Sequence, residues 1–153
     1  MNIVFDPKPE SVPYNYRISY KVSQICMILE KASKGSGTSL TKLQMISMAI
    51  NIKSEENKLL EFLEKKGNHI IIRNDPAVNQ AISYAFYDEL IYQQKNKLFR
   101  ATKKGKKLVE LIYLEEKLMN REKVVLERIS YRLTENIIDE QLRLWGRTNV
   151  NNK

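Results

Sequence analysis

A mainly α-helical fold with one small β-hairpin is predicted by three observations. Apolar residues recur at helical spacing along most of the chain, as in Ile18, Val22, Ile25 and Leu29. One pair of short runs, Leu90 to Gln93 and Leu98 to Ala101, has the length and separation of a hairpin about Lys95-Asn96-Lys97. Helix-capping residues stand ahead of the periodic stretches at Ser39, Ser54, Asp75, Thr102 and Thr134. With 153 residues, 42% of them hydrophobic and 29% charged, the chain has material for one soluble domain with a buried core.

Residues 1–15 hold Ile3-Val4-Phe5 and then three prolines, which reads as a short strand or an extended arm. The first helix is predicted from Asn15 or Tyr16 and ends at Lys34-Gly-Ser-Gly37. Thr38 or Ser39 caps a second helix with Leu40, Leu43, Ile46 and Ile50 inward. After the short turn Asn51-Ile-Lys53, Ser54 caps a third helix whose first turn holds Glu55 and Glu56, favourable at the positive end of the helix dipole. Its core residues are Leu59, Leu60, Phe62 and Leu63, and Gly67 ends it. Two helices across so tight a turn suit a helix-turn-helix.

The β-branched run Ile70 to Ile72 predicts a strand. Asp75-Pro76 then opens a fourth helix, with proline where a missing N–H costs nothing. Val78, Ala81, Ile82, Ala85 and Phe86 face inward on it. After the hairpin, in which Asn96 suits a left-handed backbone, Thr102 caps a helix running through Leu108, Leu111, Ile112 and Leu118. Thr134 caps the last helix, with Ile138, Leu142 and Trp145 in line and Gly146 as its end. This order predicts a winged helix-turn-helix core with one added helix before the hairpin wing, followed by a C-terminal helical extension. The divisions are an arm at 1–15, a winged-helix domain at 16–113, the extension at 114–146 and a flexible tail at 147–153.

Charge is concentrated in one place. Of 26 basic residues, seven lie in the segment KNKLFRATKKGKK with no acid among them: Lys95, Lys97, Arg100, Lys103, Lys104, Lys106 and Lys107. The other 19 nearly balance the 18 acidic residues, so a net charge of +8 falls to +1 without that segment. These seven are the candidate nucleic-acid-binding residues, expected to hold phosphates or an acidic partner. Lysine is a point charge without the guanidinium fork that reads guanine, so contact without sequence preference is expected. The third helix, SEENKLLEFLEKK, has four glutamates, three lysines and no arginine. With Glu55 and Glu56 leading and exposed it makes a poor base reader, and a solvated or protein-binding face is expected instead.

Absences point away from an enzyme. Neither GxxxxGK[ST], GxGxxG nor GxSxG occurs, and the reading calls for no cofactor. One cysteine, Cys26, and one histidine, His69, leave no disulfide or metal-ligand pair; Cys26 is expected buried and inert, and His69 a structural or surface residue rather than a base. No apolar run reaches a membrane-spanning length and the N-terminus has no signal-peptide order, so a cytoplasmic location is expected. Tyr84, Phe86, Tyr87 and Tyr92 read as core and rim, and Glu115, Glu116, Glu122 and Glu127 as an exposed helix face.

Several stretches together, RISYKVSQICMIL, SLTKLQMISMAI, the SEEN start, DPAVNQAISYAFYDELI with its hairpin, T-KKG-KKL and RISYRLTENIIDEQLRLW, carry a resemblance over residues 16–146. In their order they resemble the small middle component of bacterial ABC-three-component systems, the Lamassu-like defence operons. The resemblance implies a non-catalytic subunit that assembles with an SMC-like ATPase and with a nuclease or other effector, bracing the ATPase near its heads. It transfers no catalytic residue, and the role of the basic segment is read from the residues alone. A winged-helix transcriptional regulator of the MarR or PadR kind is the alternative.

Overall fold

The computed structural model describes residues 14–64 and 72–151. Among them are seven helices and one two-stranded antiparallel sheet, in the order α1 (Tyr14–Lys31), α2 (Leu40–Asn51), α3 (Lys53–Leu63), α4 (Pro76–Tyr87), β1 (Ile91–Gln93), β2 (Phe99–Ala101), α5 (Lys103–Leu114), α6 (Asn120–Ile129) and α7 (Glu135–Asn151). Of the arm predicted at 1–15, residues 1–13 lie outside the described residues, as do Gly67, His69, Ile70 and Ile71, while Tyr14 and Asn15 open α1 rather than end an arm.

Helix α1 is the pillar. Its apolar stripe widens into six consecutive buried residues, Gln24 to Leu29, so that no side of its middle turn meets water. It packs against α2, α4, α5, α6 and β2. The one polar side chain in that run is satisfied: Gln24 accepts from Ser47 Oγ at 2.8 Å and donates to Asn51 Oδ1 at 3.2 Å. Val125, Leu126 and Ile129 of α6, with Leu133 and Ile138 beyond it, join the same core, so the C-terminal helices share the buried centre of the rest.

Four predicted caps are in place. Ser39 Oγ accepts from Lys42 N, Asp75 from Ala77 N, Thr102 from Gly105 N and Thr134 from Ile137 N. The start of α3 differs. Ile52 alone separates α2 from α3, in extended conformation, and no side chain caps the helix, so Ser54 lies inside it. The Ile52 carbonyl accepts from both Glu55 N and Glu56 N, which fixes the helix start before Ser54.

The hairpin pairs Ile91 with Ala101, Tyr92 with Arg100 and Gln93 with Phe99, one residue shorter at each strand than the sequence predicts. Its left-handed residue is Lys97 (φ 71°), not Asn96. Asn96 Oδ1 accepts from Leu98 N at 3.0 Å, so the asparagine contributes a side-chain turn and the next residue takes the positive φ. On its far side β2 pairs with Thr38, which both donates to and accepts from the Phe99 backbone, at 2.9 and 2.8 Å. The loop after α1 is thereby sewn to the hairpin.

Other expectations are revised. Ile72 packs on the core without entering a strand. Phe86 is over a third exposed and meets Phe99 edge-on, centroids 5.7 Å apart. Helix α5 stops at Leu114, where the Lys123 ammonium donates to the Glu115 carbonyl, so Leu118 lies beyond it; Leu111, inside the helix, and Leu118 are both exposed rather than in the core. Helix α7 continues through Gly146 to Asn151, past the stop predicted at Gly146 and into the predicted tail. A single interior glycine costs a helix only about 1 kcal/mol relative to alanine, which its neighbours can offset.

Two glycines give opposite expectations. A β-carbon on Gly105 would overlap the Leu90 carbonyl oxygen where α5 crosses the end of α4, whereas Gly146 has nothing within 4 Å of that position. Gly105→Ala should therefore lower the unfolding free energy by about 1–3 kcal/mol through overpacking. Gly146→Ala should raise it, by up to about 1 kcal/mol, in urea unfolding of the two variants side by side.

Candidate nucleic-acid interface

The seven predicted cations fall into separate groups. Lys95 and Lys97 occupy the tip of the hairpin and are exposed. Lys103, Lys104, Lys106 and Lys107 ring the first two turns of α5, all exposed. At about 100° per residue, the burial of Gly105 against Leu90 turns Lys103 and Lys107 directly outward, with Lys104 and Lys106 on opposite flanks. Among the described residues none of the seven forms an ion pair with a carboxylate.

One of the seven is committed to the fold. Lys104 Nζ donates to the Asp88 carbonyl at 2.9 Å, capping the C-terminus of α4, and Thr102 Oγ1 donates to the Glu89 carbonyl beside it. Arg100 is half-buried on the outer face of β2 opposite Tyr92. Arg100 and Lys106 border a cavity together with Lys34, a cation of the α1–α2 loop that lies 61 positions or more from the basic segment and escaped notice in the sequence. No acid occupies the first turn of α5, so its lysines add to the positive pole of the helix dipole instead of offsetting it. The field there is strongly positive and open to solvent, suited to phosphate groups.

The acidic reading of α3 does not survive. Glu56 is fully buried, and its carboxylate takes Lys53 Nζ at 2.9 Å, Arg121 Nη1 at 3.0 Å and Arg128 Nη1 at 3.1 Å. Arg121 also donates to the Ala49 and Ile50 carbonyls, so the same cluster closes the end of α2. The three cations, each partly exposed, roof the carboxylate and clamp α3 to α6. Glu55 is mostly covered as well, near Lys58 at 3.5 Å. The front of α3 is therefore not the phosphate-repelling pair of glutamates that the sequence suggests.

Helix α4 is the one that leads into the hairpin, and it packs along α1. Its N-terminus is fastened to α2 by Gln44, which accepts from Asp75 N at 2.8 Å and donates to Asn74, Asp75 and Asn79 oxygens at 3.2 Å. Its outward side chains include Gln80, Ser83, Tyr84 and Tyr87, none of them charged. Tyr84, Tyr87 and Tyr92 are exposed, Tyr87 at 87%, where the sequence places them in core and rim. An uncharged polar and aromatic face thus lies next to the basic hairpin.

Buried titratable groups elsewhere are structural. Burial pushes the Cys26 thiol up to about 12, which keeps it protonated and unreactive. Glu122, predicted exposed, is buried and accepts from the Tyr20 hydroxyl at 2.6 Å, and burial together with that bond raises the Tyr20 pKa. Lys42 is buried with its ammonium on the Ala32 carbonyl at 2.6 Å and Ser33 Oγ at 3.1 Å; burial lowers its pKa. Among the described residues no group of three His, Cys, Asp or Glu could hold a metal ion, and no helix is long and apolar enough to cross a membrane.

Burial alone would raise the Glu56 pKa, but the hydrogen bonds from Lys53, Arg121 and Arg128 and the Arg121 charge outweigh it and hold the carboxyl below its usual value. A depressed carboxyl contributes stability that is present above its unfolded-state pKa and lost as pH falls through the folded one. Glu56→Gln should thus cost about 1–2 kcal/mol near neutral pH, since it removes the anion from three cations that are themselves partly solvated. The deficit relative to wild type should shrink below about pH 4 in parallel urea titrations, because only the wild type loses this contribution there.

Comparisons of the chain with protein-family models, with curated proteins and with solved structures found no match.

Proposed function

We propose that this chain is a non-catalytic winged-helix subunit that grips nucleic-acid phosphates without reading sequence and works inside a larger complex. The observation that carries the grip is the set of outward cations on the hairpin tip and α5, free of carboxylate partners among the described residues. The pairing of Thr38 with β2 supports the winged-helix layout, because it adds a third extended segment beside a hairpin that follows a helical cluster. The sequence resemblance supplies the partners: an SMC-like ATPase, which the subunit would brace, and a nuclease or other effector in an anti-phage or anti-plasmid defence complex. Absence of preference for sequence now rests on the lysine chemistry of the grip, since Glu56 is neutralised inside the protein.

The second reading is a regulator of the MarR or PadR kind. The uncharged face of α4 beside the hairpin favours it, because amide, hydroxyl and phenol groups can meet base edges in a groove.

With Lys104 held by Asp88, up to six cations remain for phosphates, and a mixed-sequence duplex should bind with a log–log salt slope of at most about −5 in magnitude. Lys103→Gln with Lys107→Gln should lessen that slope by about 2 and weaken binding equally for unrelated duplexes. An unchanged slope in fluorescence-anisotropy titrations over a range of salt would reject the grip. Purification from the native host with neighbouring genes intact should recover an ATPase with Walker motifs flanking a coiled coil. A stable homodimer that strongly prefers one palindrome would instead establish the regulator.

A further inference from the structure

On the flank of α5 that carries Lys106, the α1–α2 loop, β2 and α5 border a half-open cavity of about 320 Å³. Three cations from three separate segments line it: Lys34 from the loop, Arg100 from β2 and Lys106 from α5. Glu30 is the single carboxylate on its wall, so the lining carries two positive charges in excess. Tyr131 closes one side and positions Lys34, whose ammonium lies 5.6 Å from the ring centroid.

The walls are held in place from several directions. Thr38 is paired with Phe99 through two backbone bonds, and its hydroxyl is 2.6 Å from that of Ser33. Gln94 Nε2 donates to the Ser36 carbonyl at 3.1 Å, and the buried Lys42 ammonium holds the Ala32 carbonyl. Gly37 must be glycine, since its φ is 106° and a β-carbon would run into the Gln94 and Leu98 side chains. At Gly35, φ 99°, the Arg100 guanidinium reaches within 3.9 Å of the missing β-carbon's place. A β-carbon there would only touch the guanidinium, so it is the positive φ that favours glycine at this position.

We infer that this cavity binds a phosphate group. A guanidinium offers two parallel donors to phosphate oxygens, and two flanking ammonium groups add charge from other directions. A concave site with fixed walls focuses that field more than an open surface does. The inference goes beyond the surface grip, because it concerns one phosphate seated in this half-open cavity, borne either by a nucleic-acid backbone or by a free nucleotide.

The test is nuclear magnetic resonance of the isotope-labelled full chain at low ionic strength. It is titrated separately with inorganic phosphate, adenosine monophosphate and a mixed-sequence duplex. Inorganic phosphate should shift the backbone amides of Ser33 to Gly37 and of Arg100 saturably. Lys34→Gln with Lys106→Gln should weaken that binding by about ten-fold or more, whereas Lys103→Gln with Lys107→Gln should change it by less than about two-fold. Either single variant, Lys34→Gln or Lys106→Gln, is read in the same way should the pair fail to fold. No saturable shift up to about 20 mM phosphate would overturn the inference, as would equal weakening by both pairs of substitutions. Where the duplex shifts the same amides and inorganic phosphate competes, the ligand is the nucleic-acid backbone. Where only the mononucleotide and inorganic phosphate shift them, it is a free phosphorylated compound. A duplex that does not bind at all removes the surface grip and leaves the cavity standing.

Discussion

Burial of α1 on every side is the constraint from which the rest of the fold follows. A helix with six consecutive residues out of water needs apolar neighbours all around it, and α2, α4, α5, α6 and β2 each supply one. A buried polar residue in that run would be costly without a partner, and Gln24 gains two on α2. Because α4, β2 and α5 all rest on the same pillar, the hairpin and the first turns of α5 cannot shift independently of the core. Three long-range constraints act at that junction: Gly105 against Leu90, Lys104 on Asp88, and Thr38 paired with Phe99. The candidate interface is tied to the core for that reason, although it sits on turns and helix ends.

Much of this was legible because it is local chemistry. An N-cap needs only a short polar side chain a few residues ahead of the amides it satisfies, so Ser39, Asp75, Thr102 and Thr134 announced their helices. The hairpin was readable for a similar reason, down to its turn. The residue that adopts positive φ was not, because Asn96 gains more by accepting from Leu98 N than by taking the left-handed position itself. At the start of α3 a polar residue, Ser54, was available, yet the shared Ile52 carbonyl decided the boundary.

What escaped the sequence depends on partners far along the chain. Glu56 looks like an exposed acid on a charged helix, and its burial is set by arginines 65 and 72 positions away. Glu122 reads as surface in the same way until Tyr20, 102 positions away, covers it. The reverse error occurs with the aromatics. Periodicity makes Tyr84 and Tyr87 look like core, but α4 has its inward side filled by Val78, Ala81, Ile82 and Ala85, which leaves the tyrosines outside. Likewise Lys34 stands apart from the basic segment in sequence and joins Arg100 and Lys106 only through the fold.

These placements change what the surplus of positive charge means. A run of seven cations in thirteen residues suggests one dense patch, but the backbone distributes it. Lys104 closes a helix end, two cations turn toward the cavity, and Lys95, Lys97, Lys103 and Lys107 point into solvent at the hairpin tip and along α5. Outward lysines spread in this way suit attraction of a polyanion by charge, with little demand on orientation. Arg100, half-buried in a strand, is the one member of the set that carries a planar fork. On the proposed function, this division would separate long-range attraction by the exposed lysines from closer contact where the arginine lines a wall. Sequence preference, if the chain has any, would have to come from neither group but from the uncharged face of α4 beside the hairpin, where Tyr84 and Tyr87 are exposed.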